Sequence, residues 1–158
     1  MKVLRKLLKA NYFVFILIFS LAVLLISFSG YLFNFPDYAT ENTVVDDFKK
    51  YPVISYIMLT VILVPFLETV IFQGLVIEVI RLITRKKRWF CWSVSLSAFL
   101  FGIAHSYNIY YVFMGIIVGV LFALAYYLSI YRKESPVLTV TIIHGLVNLA
   151  TFFDEFYF

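Results

Sequence analysis

Four strongly polar side chains interrupt otherwise apolar stretches of this chain, and their types suit chemistry on an amide bond. Glu68 lies inside VILVPFLETVIFQGLV, His105 ends FLFGIAH, and His144 and Asn148 lie four residues apart in TIIHGLVN. A carboxylate and an imidazole can hold and deprotonate a water molecule. An imidazole and a carboxamide can donate hydrogen bonds to the oxyanion that forms when this water attacks an amide.

The same side chains also allow a metal site. Glu68, His105 and His144 could ligate a divalent cation, as in zinc sites made of two histidines and one glutamate. The chain contains no H-E-x-x-H sequence, and spacing alone leaves the metal-free and metal-dependent alternatives open. Each polar residue taken singly could be a hydrogen-bonding contact between helices. Burying all four in hydrocarbon is costly, which favours a functional role for the set.

The elements that position these side chains are predicted to be transmembrane helices. Hydrophobic residues make up 63% of the 158-residue chain and charged residues 14%, whereas a soluble domain is roughly half apolar. A bilayer core needs about 20 helical residues for one crossing. We therefore predict an all-α fold, a polytopic transmembrane helical bundle of about five crossings that forms a single domain, 1–158. The five apolar segments span residues 11–34, 51–83, 89–106, 109–131 and 136–153.

The second apolar segment is too long for one straight crossing. Pro65 lies near its middle, and proline removes a helical hydrogen bond and often kinks or breaks a helix. Residues 51–65 are therefore expected to form a kinked or interfacial helix, and 66–83 to complete the crossing. Counting about 1.5 Å per residue from the flanking basic loops places Glu68, His105 and His144 in one layer of the membrane.

The net charge of +4 is interpreted as a signal of membrane topology rather than of nucleic-acid binding. Lysine and arginine concentrate at the N-terminus, at 81–88 and at 132–133, whereas the loop at 35–50 is mainly acidic. This alternation predicts a cytoplasmic N-terminus and a C-terminus on the other side. Glu78 is predicted to pair with Arg81 at the interface. The single cysteine, Cys91, is expected to be a small buried residue.

Three motifs in series resemble the CPBP family of intramembrane proteases, also called Abi or CAAX-protease-and-bacteriocin-processing proteins. The family pattern runs E-E-x-x-x-R, then F-x-x-x-H, then H-x-x-x-N. Here ETVIFQG fits the first motif in part, FGIAH fits the second and HGLVN fits the third. The resemblance covers about residues 60–150, the core that carries the motifs.

The resemblance implies an endopeptidase that hydrolyses a peptide bond of a membrane-associated peptide or protein. Glu68 matches the general base that activates water, His105 matches the histidine that shares this water, and His144 and Asn148 match the pair that stabilises the oxyanion. The metal-free mechanism is favoured because Asn148 suits an oxyanion donor better than a metal ligand. A divalent metal such as zinc on Glu68, His105 and His144 stays the alternative.

Partners and location follow from the same resemblance. The expected partners are the lipid bilayer and a peptide or membrane-protein substrate, with no nucleic acid. Small bacterial members are linked to bacteriocin or pheromone processing and to self-immunity, so we expect a protein of the bacterial cell membrane. Side chains predicted to support the site are Thr69, Phe72, Gln73 and Phe101.

The chain departs from the family pattern at two positions. Thr69 stands where the family has its second glutamate, and Gln73 where it has arginine. We interpret this as a compensated replacement of a structural ion pair by a neutral pair, which could still form a hydrogen bond. The alternative is a catalytically inactive member that acts as a peptide-binding or bacteriocin-immunity protein. A third hypothesis is a proton- or ion-handling subunit, although the chain shows no internal repeat.

Overall fold

A computed structural model of the chain describes residues 2–29, 52–83 and 89–157. All regular secondary structure in these residues is helical. Among these residues three helices are long and apolar enough to cross a membrane, namely Val53–Ile83, Ile109–Arg132 and Pro136–Asp154. Two shorter apolar helices span Tyr12–Ser27 and Trp89–Ala104. The predicted all-α membrane bundle is confirmed. The acidic loop at 35–50 and the basic residues at 84–88 lie outside the described residues. The helices are α1 (Lys2–Lys9), α2 (Tyr12–Ser27), α3 (Val53–Ile83), α4 (Trp89–Ala104), α5 (Ile109–Arg132) and α6 (Pro136–Tyr157).

Helix α3 runs for 31 residues and continues through Pro65. Two π-helical stretches, Met58–Leu63 and Thr69–Leu75, flank the α-helical turn Val64–Glu68. Proline has no N–H, and its ring clashes with the carbonyl four residues earlier. A π-helical register of five residues relieves this conflict while the helix continues, and such insertions are frequent at functional sites. Glu68 therefore lies on a single α-helical turn between two widened segments.

Helices α4 and α5 pack closely through small residues. A Cβ atom on Gly102 of α4 would lie 2.7 Å from the Ile116 nitrogen and 2.8 Å from the Val112 oxygen of α5. A Cβ atom on Gly119 would lie 2.9 Å from the Ala98 Cα. Small residues that let backbones approach are a common basis of helix association in membranes. This contact fixes the end of α4, and with it His105, against α5.

Gly102→Ala is expected to lower the stability of the bundle by about 1–3 kcal/mol, because the added methyl group meets backbone atoms that cannot rotate away. The matched control is Gly74→Ala, whose Cβ atom would have its nearest such neighbour at 3.5 Å, the Thr69 oxygen. This control should be neutral or slightly stabilising. Thermal unfolding in one detergent compares the two variants, and equal midpoints would contradict the close-packing argument.

The junction between α1 and α2 is held by Arg132 at the end of α5. Its guanidinium binds both carboxylate oxygens of Glu134 at 2.7 Å and donates to the Ala10 oxygen at 2.8 Å and to the Leu7 oxygen. It also lies over the Phe15 ring, 4.6 Å from the centroid. These charge-assisted bonds satisfy a guanidinium that is almost wholly buried. They attach the basic N-terminal helix to the bundle.

Two smaller predictions have opposite outcomes. The pair of Glu78 and Arg81 is confirmed, with a carboxylate–guanidinium distance of 3.2 Å at the surface. The prediction for Cys91 is wrong, because this residue is exposed. The buried face of α4 includes Ser93 and Ser97, and Cys91 lies on another face of the same helix.

Candidate active site

The structure brings Glu68, His105 and His144 together from three different helices or helix ends. Glu68 ends the central α-helical turn of α3, His105 directly follows α4, and His144 lies inside α6. One carboxylate oxygen of Glu68 is 3.9 Å from Nε2 of His105, and the other is 3.7 Å from Nε2 of His144. A single carboxylate thus faces an imidazole on each side.

A hydrogen bond to the backbone determines which ring nitrogen of His105 carries the hydrogen and which is the acceptor. Its Nδ1 lies 2.8 Å from the Phe101 oxygen, one helical turn earlier. Because a carbonyl oxygen only accepts, this contact assigns the hydrogen of the neutral ring to Nδ1. Nε2 then presents its lone pair beside Glu68. The F-x-x-x-H spacing is thus the spacing that orients this imidazole.

His144 lies deeper in the bundle than its two partners. Its side chain is 8% exposed, against 23% for both Glu68 and His105. The ring lies between Phe101, 5.9 Å away edge-on, and Phe122, 4.7 Å away and tilted. The carboxylate beside Nε2 favours the hydrogen on that nitrogen, so His144 presents a donor to the same space. The site is therefore open on the side of Glu68 and His105 and closed behind His144.

Phe101 is the centre of the aromatic packing around the two histidines. Its ring centroid is 4.5 Å from that of His105, 5.7 Å from Phe72 and 5.5 Å from Phe122. Phe72 and Phe101 were expected to support the site, and both lie at it. Phe122 was missed because nothing in the sequence of α5 distinguishes it among the 18 phenylalanines of the chain. These rings hold the imidazoles in place and keep water from their faces.

Tyr107 also lies at the site and was missed. It belongs to the short connection between α4 and α5, and its ring packs edge-on against His105 with centroids 6.2 Å apart. Burial and, second, the negative charge of Glu68 raise the pKa of the Tyr107 phenol. The hydroxyl therefore stays protonated at neutral pH and can donate. Its position two residues after His105 was the available signal.

Asn148 binds the backbone of α3 rather than the carboxylate. Its Nδ2 donates to the Thr60 oxygen at 2.8 Å. It shares a helix face with His144, as the four-residue spacing requires. One of its two amide hydrogens is thus occupied by the protein itself.

Thr69 and Gln73 do not form the hydrogen bond expected of a neutral pair. Both side chains are fully buried. Within the described part of the chain, neither the Thr69 hydroxyl nor either amide atom of Gln73 has a hydrogen-bond partner. Both residues lie in the π-helical stretch Thr69–Leu75, where side chains four residues apart are not stacked as they are on an α-helix. The pair is neutral, as inferred, but is not linked by a hydrogen bond.

The donor types at the site also fit a metal ion. Glu68, His105 and His144 are the residues that would hold zinc, and the Nδ1–carbonyl bond of His105 is the usual orienting contact of a zinc-binding histidine. In the arrangement described here, no three His, Cys, Asp or Glu side chains among residues 2–29, 52–83 and 89–157 are placed to hold an ion.

Comparison with known proteins identifies one family. A family model described as type II CAAX prenyl endopeptidase Rce1-like matches residues 50–150. The match includes α3, α4, α5 and most of α6, and hence every residue placed at the site above. Comparisons with curated proteins and with solved structures gave no match.

Proposed function

Because this chain belongs to the Rce1-like family of type II CAAX prenyl endopeptidases, we propose that it is an intramembrane endopeptidase. In this proposal it cleaves a peptide bond in a membrane-associated peptide or protein. The observation that carries the proposal is the placement of Glu68 between the Nε2 atoms of His105 and His144, at 3.9 and 3.7 Å. The family and the apolar helices make the chain an integral membrane protein.

The first step is activation of water. Glu68 and the Nε2 lone pair of His105 are both acceptors, and a water molecule can bridge polar groups at this separation by donating one hydrogen to each. Its oxygen lone pairs then point away from both, towards a peptide carbonyl. Glu68 takes one proton as the general base while the water oxygen bonds to the carbonyl carbon. The electron pair of the carbonyl bond moves to oxygen and forms an oxyanion.

The second step is stabilisation and collapse of the tetrahedral intermediate. The Nε2 hydrogen of His144 donates to the oxyanion, and the amide hydrogen of Asn148 that Thr60 does not occupy is the second donor. The proton held by Glu68 passes to the leaving nitrogen as the C–N bond breaks. The products are one new carboxyl group and one new amino group, so atoms and charge balance.

The substrate class that fits is a peptide held at the membrane by its own apolar or lipid-modified part. Glu68 and His105 are partly exposed, and large apolar side chains such as Phe66 and Ile71 are exposed on the helix that carries Glu68. The family description names a CAAX prenyl endopeptidase, so the proposal includes prenylated CAAX peptides, and we extend it to bacteriocin and pheromone precursors of bacteria. The basic flanks favour a cytoplasmic N-terminus.

The test is cleavage of a defined peptide pool by the purified protein in lipid bilayers, read by mass spectrometry. The pool contains prenylated CAAX peptides and amphipathic peptide precursors, and each sample is run with and without chelator. New termini that are indifferent to chelator are the expected result. Loss of cleavage with chelator and its return with zinc would instead make Glu68, His105 and His144 metal ligands.

The second candidate function is that of a catalytically inactive family member that binds peptide. The observation that favours it is that Thr69 and Gln73 are uncharged where the family has a charged pair. No cleavage beside an active control protease would contradict the endopeptidase. Retention of one peptide class on the bilayers in the same samples would then support an immunity or peptide-binding protein.

A further inference from the structure

Pro65 leaves a carbonyl of α3 without its usual donor. In an α-helix the Thr60 oxygen accepts from the amide of residue 64, and in a π-helix from that of residue 65. The Val64 amide donates to the Leu59 oxygen instead, and Pro65 has no amide hydrogen. Neither the α-helical nor the π-helical amide donor is therefore available to the Thr60 oxygen. An unpaired carbonyl is costly inside a membrane.

Asn148 on α6 supplies the missing hydrogen. Its Nδ2 lies 2.8 Å from the Thr60 oxygen. Gly145, three residues earlier on the same face of α6, lies against the next carbonyl, since a Cβ atom there would be 2.5 Å from the Val61 oxygen. Helix α6 thus lies directly on the part of α3 that Pro65 disturbs, and a glycine and an asparagine make this contact.

The contact fixes the turn that carries the carboxylate. Pro65 and Glu68 belong to one α-helical turn, Val64–Glu68, and α6 carries both Asn148 and His144. We propose that Asn148 is a positioning residue whose carboxamide replaces the amide hydrogen that Pro65 lacks. It thereby holds Glu68 at its distance from His144. The kinetic part of this proposal depends on the proposed endopeptidase, whereas the structural part does not.

A double-mutant comparison tests the structural part. Asn148→Leu is made in the wild type, in Pro65→Ala and in a control background, Pro136→Ala. The Pro65→Ala change brings an amide hydrogen to the disturbed carbonyls, whereas Pro136 is the first residue of α6, where a missing amide hydrogen leaves no carbonyl unpaired. Thermal unfolding midpoints are measured in one detergent.

Asn148→Leu is expected to lower the midpoint by about 3–8 °C in the wild type. In the Pro65→Ala background the loss should fall to half or less, and in the Pro136→Ala background it should be unchanged. Equal losses in all three backgrounds would overturn the proposal.

The kinetic part is tested by kcat and KM for the peptide that the wild type cleaves fastest. Pro65→Ala is expected to recover the kcat of Asn148→Leu by about tenfold with little change in KM, because a restored turn returns Glu68 to its place. Recovery stays partial, since the oxyanion hydrogen of Asn148 is still missing. Thermal recovery without kinetic recovery would overturn the positioning of Glu68. If the wild type cleaves nothing, the proposed function fails, and the unfolding comparison still decides the role of the hydrogen bond.

Discussion

Replacing Glu68 with glutamine is expected to lower kcat for peptide cleavage by about 10²–10⁴-fold, with little change in KM. Glutamine keeps the size and shape of the side chain between the two imidazoles, so the packing of α3, α4 and α6 should survive. It cannot take a proton from water. The quantities to measure are kcat, KM and the unfolding midpoint of both proteins.

The matched control for Glu68→Gln is Glu78→Gln on the same helix. Glu78 forms an exposed ion pair with Arg81, and such pairs contribute about 0–1 kcal/mol to stability. The control should cleave like the wild type. Full activity of Glu68→Gln, with its midpoint unchanged, would mean that Glu68 is not the base and would remove the main support for a glutamate-activated water.

The two departures from the family pattern lie apart from the groups proposed to do the chemistry. Thr69 and Gln73 are fully buried, whereas Glu68 is partly exposed and faces the histidines. A single charge left at either buried position would cost about 3–5 kcal/mol. Two neutral side chains avoid this cost without changing the contacts of Glu68. The absence of the ion pair is therefore compatible with a working acid–base site.

The helices and the common layer of the three site residues could be predicted from the sequence for simple physical reasons. An apolar run of membrane-spanning length has few structural alternatives in a bilayer. A fixed rise per residue then places Glu68, His105 and His144 at similar depths, and the contacts among them agree with this.

The remaining features of the site depend on contacts between helices, which no local pattern encodes. Phe122 is one apolar residue of α5 among many, and its place beside His144 follows from how α5 packs on α6. The π-helical stretches beside Pro65 could not be foreseen, because the sequence rule for proline assumes an α-helical register. The partner of Asn148 could not be foreseen either, since the Thr60 carbonyl is freed only by the π-helical turn.

Replacing His144 with phenylalanine is expected to lower kcat by about 10²–10³-fold, the usual effect of removing one oxyanion donor. A phenyl ring fits between Phe101 and Phe122, whose centroids lie 5.9 and 4.7 Å from the His144 ring, so the fold and KM should change little. The measurement is kcat and KM for the same peptide used with Glu68→Gln.

Phe122→Leu separates the donor role of His144 from the packing around it. This variant disturbs the wall behind the imidazole but leaves its Nε2 hydrogen in place, so a loss in kcat of only a few-fold is expected. If His144→Phe lost no more activity than Phe122→Leu, the imidazole would be a packing element and the oxyanion would need another donor. One such group is the hydroxyl of Tyr107, whose ring packs against His105 and which stays protonated because burial and the charge of Glu68 raise its pKa. Tyr107→Phe would then be the variant that loses kcat.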